Sequence, residues 1–168
     1  IETLAQRDRA CAIADGALHQ AEALRWSGVG STTIAEGALD ALGVALQEVE
    51  SLRTDRGMLP AGGGAEIEIA RRVREHADGV AGQAQLVHEM TADAFERVPK
   101  LLARRTGIDP VDALVELRIA SQRGEPMAID VESGQLIEPT APGGSIEAAE
   151  LSACLTDGIT LAVVVRIT

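Results

Sequence analysis

The chain turns abruptly at Leu59-Pro60-Ala61-Gly62-Gly63-Gly64-Ala65-Glu66-Ile67-Glu68, where a proline and three successive glycines run straight into an amphipathic stretch. Glycine lacks a Cβ, so this segment can take positive φ and leave backbone N–H groups uncovered, and a phosphate or a neighbouring strand can approach the main chain closely. The stretch that follows carries Ile67, Ala70, Val73 and Ala77 at helical spacing, with Arg71, Arg72, Arg74 and Glu75 around the rest. Two readings of this junction stand side by side. One is an anion site, because unpaired amides and the helix dipole point at the same spot. The other is a tight loop that needs positive φ so that neighbouring elements can pack.

The elements on either side must build their core without aromatic bulk. Hydrophobic residues make up 46% of the 168 positions but aromatics only 1%, Trp26 and Phe95, which favours closely packed helices rich in Ala, Leu, Val and Ile. The length fits one domain with a real core. A net charge of −11 argues against a nucleic-acid backbone or an anionic membrane surface as partner and suits a cytoplasmic setting. Cys11 and Cys154 sit among small apolar residues and read as buried thiols in a reducing compartment. A membrane span of about 18 apolar residues and a secretory signal are not expected. The chain opens on Ile1 rather than methionine, which fits a processed product or a piece of something longer.

In order, a first helix is expected over 8–26, with Ala10, Ile13, Ala14, Ala17, Leu18, Ala21 and Leu24 on one stripe, stopped by Gly28 and Gly30. Thr33 with Glu36 forms a capping-box pattern for a second helix reaching about Arg53. After the glycine turn and a helix over 65–77, the segment from Gly79 to Gly82 is a break. Residues 83–105 return to helical period through Leu86, Val87, Met90, Ala94, Val98, Leu101 and Leu102. Pro99 should kink that run or divide it into two helices. Asp109-Pro110 with Asp112 starts another helix, with Val111, Leu114, Val115 and Ile119 as its expected buried face. Residues 127–131 and 135–138 flank Glu132-Ser133-Gly134 as a short β-hairpin. Pro139 to Gly144 reads as a loop, and Ser145 as the cap of a helix containing Ile146, Ala149 and Ala153. Leu161 to Ile167 is β-branched enough for a strand, yet can equally continue a buried helix.

Several of these segments, taken together and in order, resemble the group II chaperonins, the thermosome-like ring chaperones of archaea and the eukaryotic cytosol. The similarity lies in Pro60 to Glu68, in Ala92-Asp93-Ala94-Phe95-Glu96-Arg97-Val98-Pro99-Lys100-Leu101-Leu102-Ala103, in Thr106-Gly107-Ile108-Asp109 and in Val111-Asp112-Ala113-Leu114-Val115. It continues in Ile129-Asp130-Val131 and Leu136-Ile137-Glu138-Pro139, and earlier in Ala21-Glu22 and Thr33-Ile34-Ala35-Glu36-Gly37. It implies a mainly α, multihelical bundle like a chaperonin equatorial domain, with a small β-hairpin. Residues 1–168 would form a single module, 1–56 giving the first-half helices and 57–168 the second half.

By this resemblance Gly62, Gly63 and Gly64 would contact nucleotide through their backbone, Asp130 and Val131 would lie on the adenine side, and Glu132 or Ser133 falls where a ribose-binding acid would lie. ATP and Mg²⁺ would be the cofactors. The departures are equally specific. The family's intermediate and apical section, expected between the two halves, is missing between Leu52 and Leu59. Its Gly-Pro-Lys-Gly phosphate loop would lie before Ile1, and nothing at 4–9 corresponds to its Gly-Asp-Gly-Thr-Thr motif. Whether the chain is an enzyme therefore stays open, and ATP hydrolysis by this chain alone is not expected. The implied role is that of a chaperonin subunit or its equatorial part, contributing to ring assembly and nucleotide-linked protein folding. Its partners would be ring neighbours, identical or related chains, with unfolded clients met only through the parent complex. The alternative is a degenerate chaperonin-like module that oligomerises or binds partners without ATPase activity. A phosphate-binding enzyme of another kind would need a nucleophile and base pair that is not found. Asp40 reads as a solvated helix position, although its Asp-Ala-Leu setting is similar to that of the family's catalytic aspartate. His19, His76 and His88 read as surface residues without a metal-ligand partner.

Overall fold

The computed structural model describes residues 5–138 and 145–167, and the bundle expected from the apolar periodicities is what they form. The elements in order are α1 (Gln6–Trp26), α2 (Ser31–Leu52), β1 (Met58–Pro60), α3 (Gly64–Ala77), α4 (Gln83–Phe95), α5 (Arg97–Thr106), α6 (Pro110–Gln122), β2 (Ala128–Asp130), β3 (Gln135–Ile137), β4 (Ser145–Glu147) and α7 (Ala148–Ile167). Helices α1, α2, α3, α4 and α7 pack into one core, and α5 and α6 lie against α3. Phe95 is fully buried in that core, whereas Trp26 ends α1 in solvent, 86% exposed.

Small residues set the helix spacing. A Cβ on Gly37 of α2 would stand 2.8 Å from Val87 of α4, and one on Gly158 of α7 would stand 2.7 Å from Ile13 of α1. These helices cross too closely for anything but glycine, as interior packing at crystal-like density demands. Pro99 does divide the 83–105 run, since α4 stops at Phe95 and α5 begins at Arg97. Asp109 caps α6 through Val111 N–H and Asp112 N–H, with Pro110 at the first helical position.

Several expectations are corrected. Helix α2 starts at Ser31 on Gly30, with no side-chain cap, so Thr33 lies inside the helix rather than capping it. Ser145 and Ile146 belong to β4, which pairs antiparallel with β1 in the register Met58↔Glu147 and Pro60↔Ser145. The helix expected from Ser145 begins at Ala148 instead, where Ala148 N–H donates to Gly57 O at 2.8 Å. A three-residue strand whose partner lies so far along the chain has no local signature. On α6, Leu114 is buried together with Ala113, Leu117 and Ala120, while Val111, Val115 and Ile119 face outward. Arg118 and Ser121 fix that rotation by bonding Glu96 and Arg71. Cys11 is exposed, and of the two thiols only Cys154 is buried. Its Sγ lies 3.6 Å from Gln6 O, and burial pushes its pKa up to about 11.

The segment Leu161 to Ile167 continues α7 as helix. Residues 148–165 reach a mean hydropathy of 1.6, long and apolar enough by length and composition to cross a membrane, contrary to the sequence expectation. In the bundle, Leu151, Leu155, Ile159 and Ala162 turn one stripe of this helix into the core against α1 and α2, which accounts for that apolarity. The Pro139 to Gly144 loop lies outside the described residues.

Candidate functional site

Glycine permits the turn before α3. Gly62 and Gly63 have φ of +80° and +82°, and Gly63 O accepts from Ile67 N–H at 3.2 Å to open the helix. The β2–β3 hairpin lies directly on this turn: Ile129 N–H donates to Gly62 O at 2.8 Å. The clearance of each glycine is taken up by protein. A Cβ on Gly62 would stand 2.5 Å from Ile129 O, one on Gly63 2.7 Å from Pro99 Cβ, and one on Gly64 2.8 Å from Met127 O. Two segments singled out in the sequence, 62–64 and 129–131, thus meet in close backbone packing.

Asp130 closes the hairpin. Its carboxylate accepts from the Ser133 hydroxyl, from Glu132 N–H at 3.3 Å and from Ser133 N–H at 3.2 Å, and Gly134 N–H donates to Asp130 O at 2.8 Å. Those bonds, the Ser133 hydroxyl first, hold its pKa below the usual carboxylate range. Val131 is half-buried against the core, and Glu132 and Ser133 are exposed on the turn.

Beneath the turn lies a feature that sequence reasoning missed. Glu66, in the first turn of α3, is ion-paired with Arg9 of α1, and both side chains are 1% exposed. Burial lowers the Arg9 pKa. The α3 N-terminus, where an anion would be expected, thus already faces a carboxylate of its own first turn.

A second missed feature is a charge hub at the far end of α3. Glu96, 1% exposed, accepts from Arg74 Nη1 at 2.6 Å and Nη2 at 3.0 Å, and from Arg118 Nε at 3.1 Å; Arg118 Nη2 bonds it as well. Asp93 bonds Arg74 and accepts from Gln20 at 3.1 Å. Burial pulls the Arg74 pKa down, but its bonds to Glu96 and Asp93 outweigh this and leave it raised. Every cation here faces a carboxylate, so the hub ties α3, α4 and α6 together rather than offering a free charge. Only Glu96 is fully buried in the hub; Arg74 and Arg118 are 25% and 43% exposed, so solvent screens their side of each pair.

The third correction concerns the histidines. His88 of α4 is 1% exposed, and its Nε2 lies 2.8 Å from Asp40 Oδ2 of α2. His76, in the last turn of α3, places its Nε2 3.7 Å from the same oxygen. Asp40 is 63% exposed, as expected for a solvated helix position, but it bridges two histidines that sequence spacing left apart.

The family model described as TCP-1/cpn60 chaperonin family matches residues 28–165. Thermosome subunit alpha of Methanothermobacter thermautotrophicus is 43% identical over 115 residues, covering 68% of this chain and 21% of that protein. The thermosome subunit of Methanopyrus kandleri is 46% identical over 99 residues, covering 58% and 17%. Among solved structures, the open-state monomer of a group II chaperonin from Methanococcoides burtonii superposes with a TM-score of 0.63 at 25% identity, covering 66% of this chain and 28% of that one. The chain spans about a fifth of the length of the curated relatives it matches.

Proposed function

The chain belongs to the TCP-1/cpn60 chaperonin family, and from that premise we propose that it is a thermosome-like chaperonin subunit, or the equatorial part of one, working in ring assembly and nucleotide-linked protein folding. Residues 1–168 then act as one equatorial-domain-like module, with 1–56 and 57–168 as its two halves. The observation that carries the reading is the meeting of the glycine turn with the β2–β3 hairpin through Ile129 N–H and Gly62 O. It sets Gly62, Gly63 and Gly64 beside Asp130 and Val131, the residues proposed to face a nucleotide. The module would work in the cytoplasm, in contact with ring neighbours of the same or a related chain, and would meet unfolded clients only within the parent complex. Neither nucleic acid nor membrane is a proposed partner.

ATP with Mg²⁺ is the cofactor this family membership suggests, and the residues present suit only one end of it. The glycine turn and the hairpin offer a back wall and an apolar edge for the base. The donor set for the triphosphate does not fit: on the side where a Cβ would stand, Gly62, Gly63 and Gly64 are already packed against Ile129, Pro99 and Met127. Glu66 is engaged with Arg9, and Asp130 with the hairpin turn. A triphosphate brings about four negative charges to a chain of net charge −11, and these need a metal held by a free carboxylate.

Calorimetric titration of the 168-residue chain with Mg-ATP, combined with a phosphate-release assay and native mass spectrometry, tests the reading. Weak or absent binding, no turnover and self-association are expected. Micromolar affinity with measurable turnover would make the chain a working ATPase with a replaced site. A chain that neither binds nucleotide nor associates, alone or with a thermosome subunit, would overturn the ring-subunit reading and leave the degenerate partner-binding module.

A further inference from the structure

We propose that Asp40, His76 and His88 form a binding site for a divalent transition metal, with zinc as the best-suited ion, joining α2, α3 and α4. The three ligand atoms lie within 4.8 Å of one another, the single such group among the described residues, and each comes from a different helix. The donor spacing matches a common centre. Two ligands about 2.1 Å from a tetrahedral ion stand roughly 3.4 Å apart, and here the Nε2 atoms of His88 and His76 lie 2.8 and 3.7 Å from Asp40 Oδ2. With His88 held in the core, rotation of the exposed Asp40 and His76 side chains draws the three atoms, all within 4.8 Å of one another, toward that spacing.

The orientation of His88 is the stronger argument. Its Nδ1 lies 2.8 Å from Ala84 O, and a carbonyl oxygen only accepts, so Nδ1 carries a hydrogen. In the neutral ring this leaves the Nε2 lone pair pointing at a carboxylate oxygen 2.8 Å away, an arrangement that requires a positive centre between them. A backbone carbonyl fixing the tautomer while the other nitrogen points at a cation is the usual outer-shell support of a metal-binding histidine. The His76 and His88 rings, with centroids 5.5 Å apart and tilted by 32°, make no hydrogen bond to each other, and both direct Nε2 to the same carboxylate oxygen.

Two imidazoles and one carboxylate are a borderline-soft set suited to zinc, cobalt, nickel or copper. Calcium and magnesium require about six oxygen ligands, which this set cannot provide. His76 and Asp40 are 40% and 63% exposed, so the ion has a path from solvent and water completes its coordination. The competing occupant of the gap is a proton, which would make His88 and Asp40 a simple ion pair.

Zn²⁺ titration of the full 168-residue chain against a chromophoric chelator, together with Co²⁺ absorption and melting curves, separates the two occupants. The expected results are one ion per chain, an intense Co²⁺ visible spectrum and a melting temperature raised by Zn²⁺. His76→Ala and Asp40→Asn should each weaken Zn²⁺ binding by at least about tenfold, the lower range for loss of a mere supporting partner. Both positions are exposed enough for the variants to fold, with circular dichroism as the check, so the test does not depend on the buried His88. Zn²⁺ affinity unchanged in both variants, a Co²⁺ spectrum like that of the hydrated ion, or a melting curve indifferent to Zn²⁺ would overturn the proposal and leave the proton-bridged pair.

Discussion

At Gly62 two demands fall on one residue. Its φ of +80° penalises any side chain, and a Cβ would meet the main-chain oxygen of Ile129 at 2.5 Å, an atom that cannot swing aside. Gly62→Ala should therefore lose about 2 kcal/mol or more of stability, combining left-handed strain with overpacking. Gly43 is the control: it lies exposed in α2, with nothing within 4 Å of a would-be Cβ. Gly43→Ala should gain about 0.5–1 kcal/mol from better helix propensity. Urea melts of the two variants check this, and equal changes would show that the close approach of the hairpin carries no energy. The glycine run was legible as a place of positive φ from sequence alone. What packs against the run was not legible, because the filling atoms come from Pro99, Met127 and Ile129, all distant in the chain.

Among the elements, the α2–α4 crossing depends most on a single missing atom. Val87 packs where a Cβ of Gly37 would be, and one residue beyond it His88 reaches Asp40, three residues past Gly37. Gly37→Ala should push the helices apart, cost about 1–3 kcal/mol, and lengthen the His88–Asp40 contact. The first effect is read by thermal melting and the second by the histidine ring signals in NMR. Unchanged melting and ring signals would mean that the crossing has slack. Helices with a strong period, such as α1, α2 and α3, were legible because a buried stripe constrains many residues at once. The α6 face was misread for a physical reason. That helix carries two apolar stripes, Val111-Val115-Ile119 and Ala113-Leu117-Ala120, and the choice between them is made by Arg118 and Ser121 bonding Glu96, at the α4–α5 junction, and Arg71 of α3. The β1–β4 pair and the Asp40–His76–His88 group were illegible for the same reason, since only the fold brings their members together.

In the whole molecule, α7 closes the bundle and leaves a second apolar face outside it. Leu161 and Val165, one turn apart, are 49% and 52% exposed, an arrangement that favours burial against another surface. Replacing both by lysine should shift sedimentation toward the monomer while leaving the helical dichroism intact, because the inward residues Ile159 and Ala162 are untouched. A wild-type chain that already sediments as a monomer would refute the idea. The short passage from α2 to β1 has a consequence for engineering. Thr54 N–H donates to Met58 O at 2.9 Å, and Gly57 N–H donates to Thr54 O at 2.8 Å. The chain therefore leaves and re-enters the bundle a single hydrogen bond apart, with Asp55 and Arg56 at the exposed tip. A guest sequence spliced between those two residues would start and finish at one point on the host. Closing the enlarged loop costs only about 0.6 kcal/mol for each doubling of its length, so the bundle amounts to a socket into which a cargo domain of almost any size can be plugged.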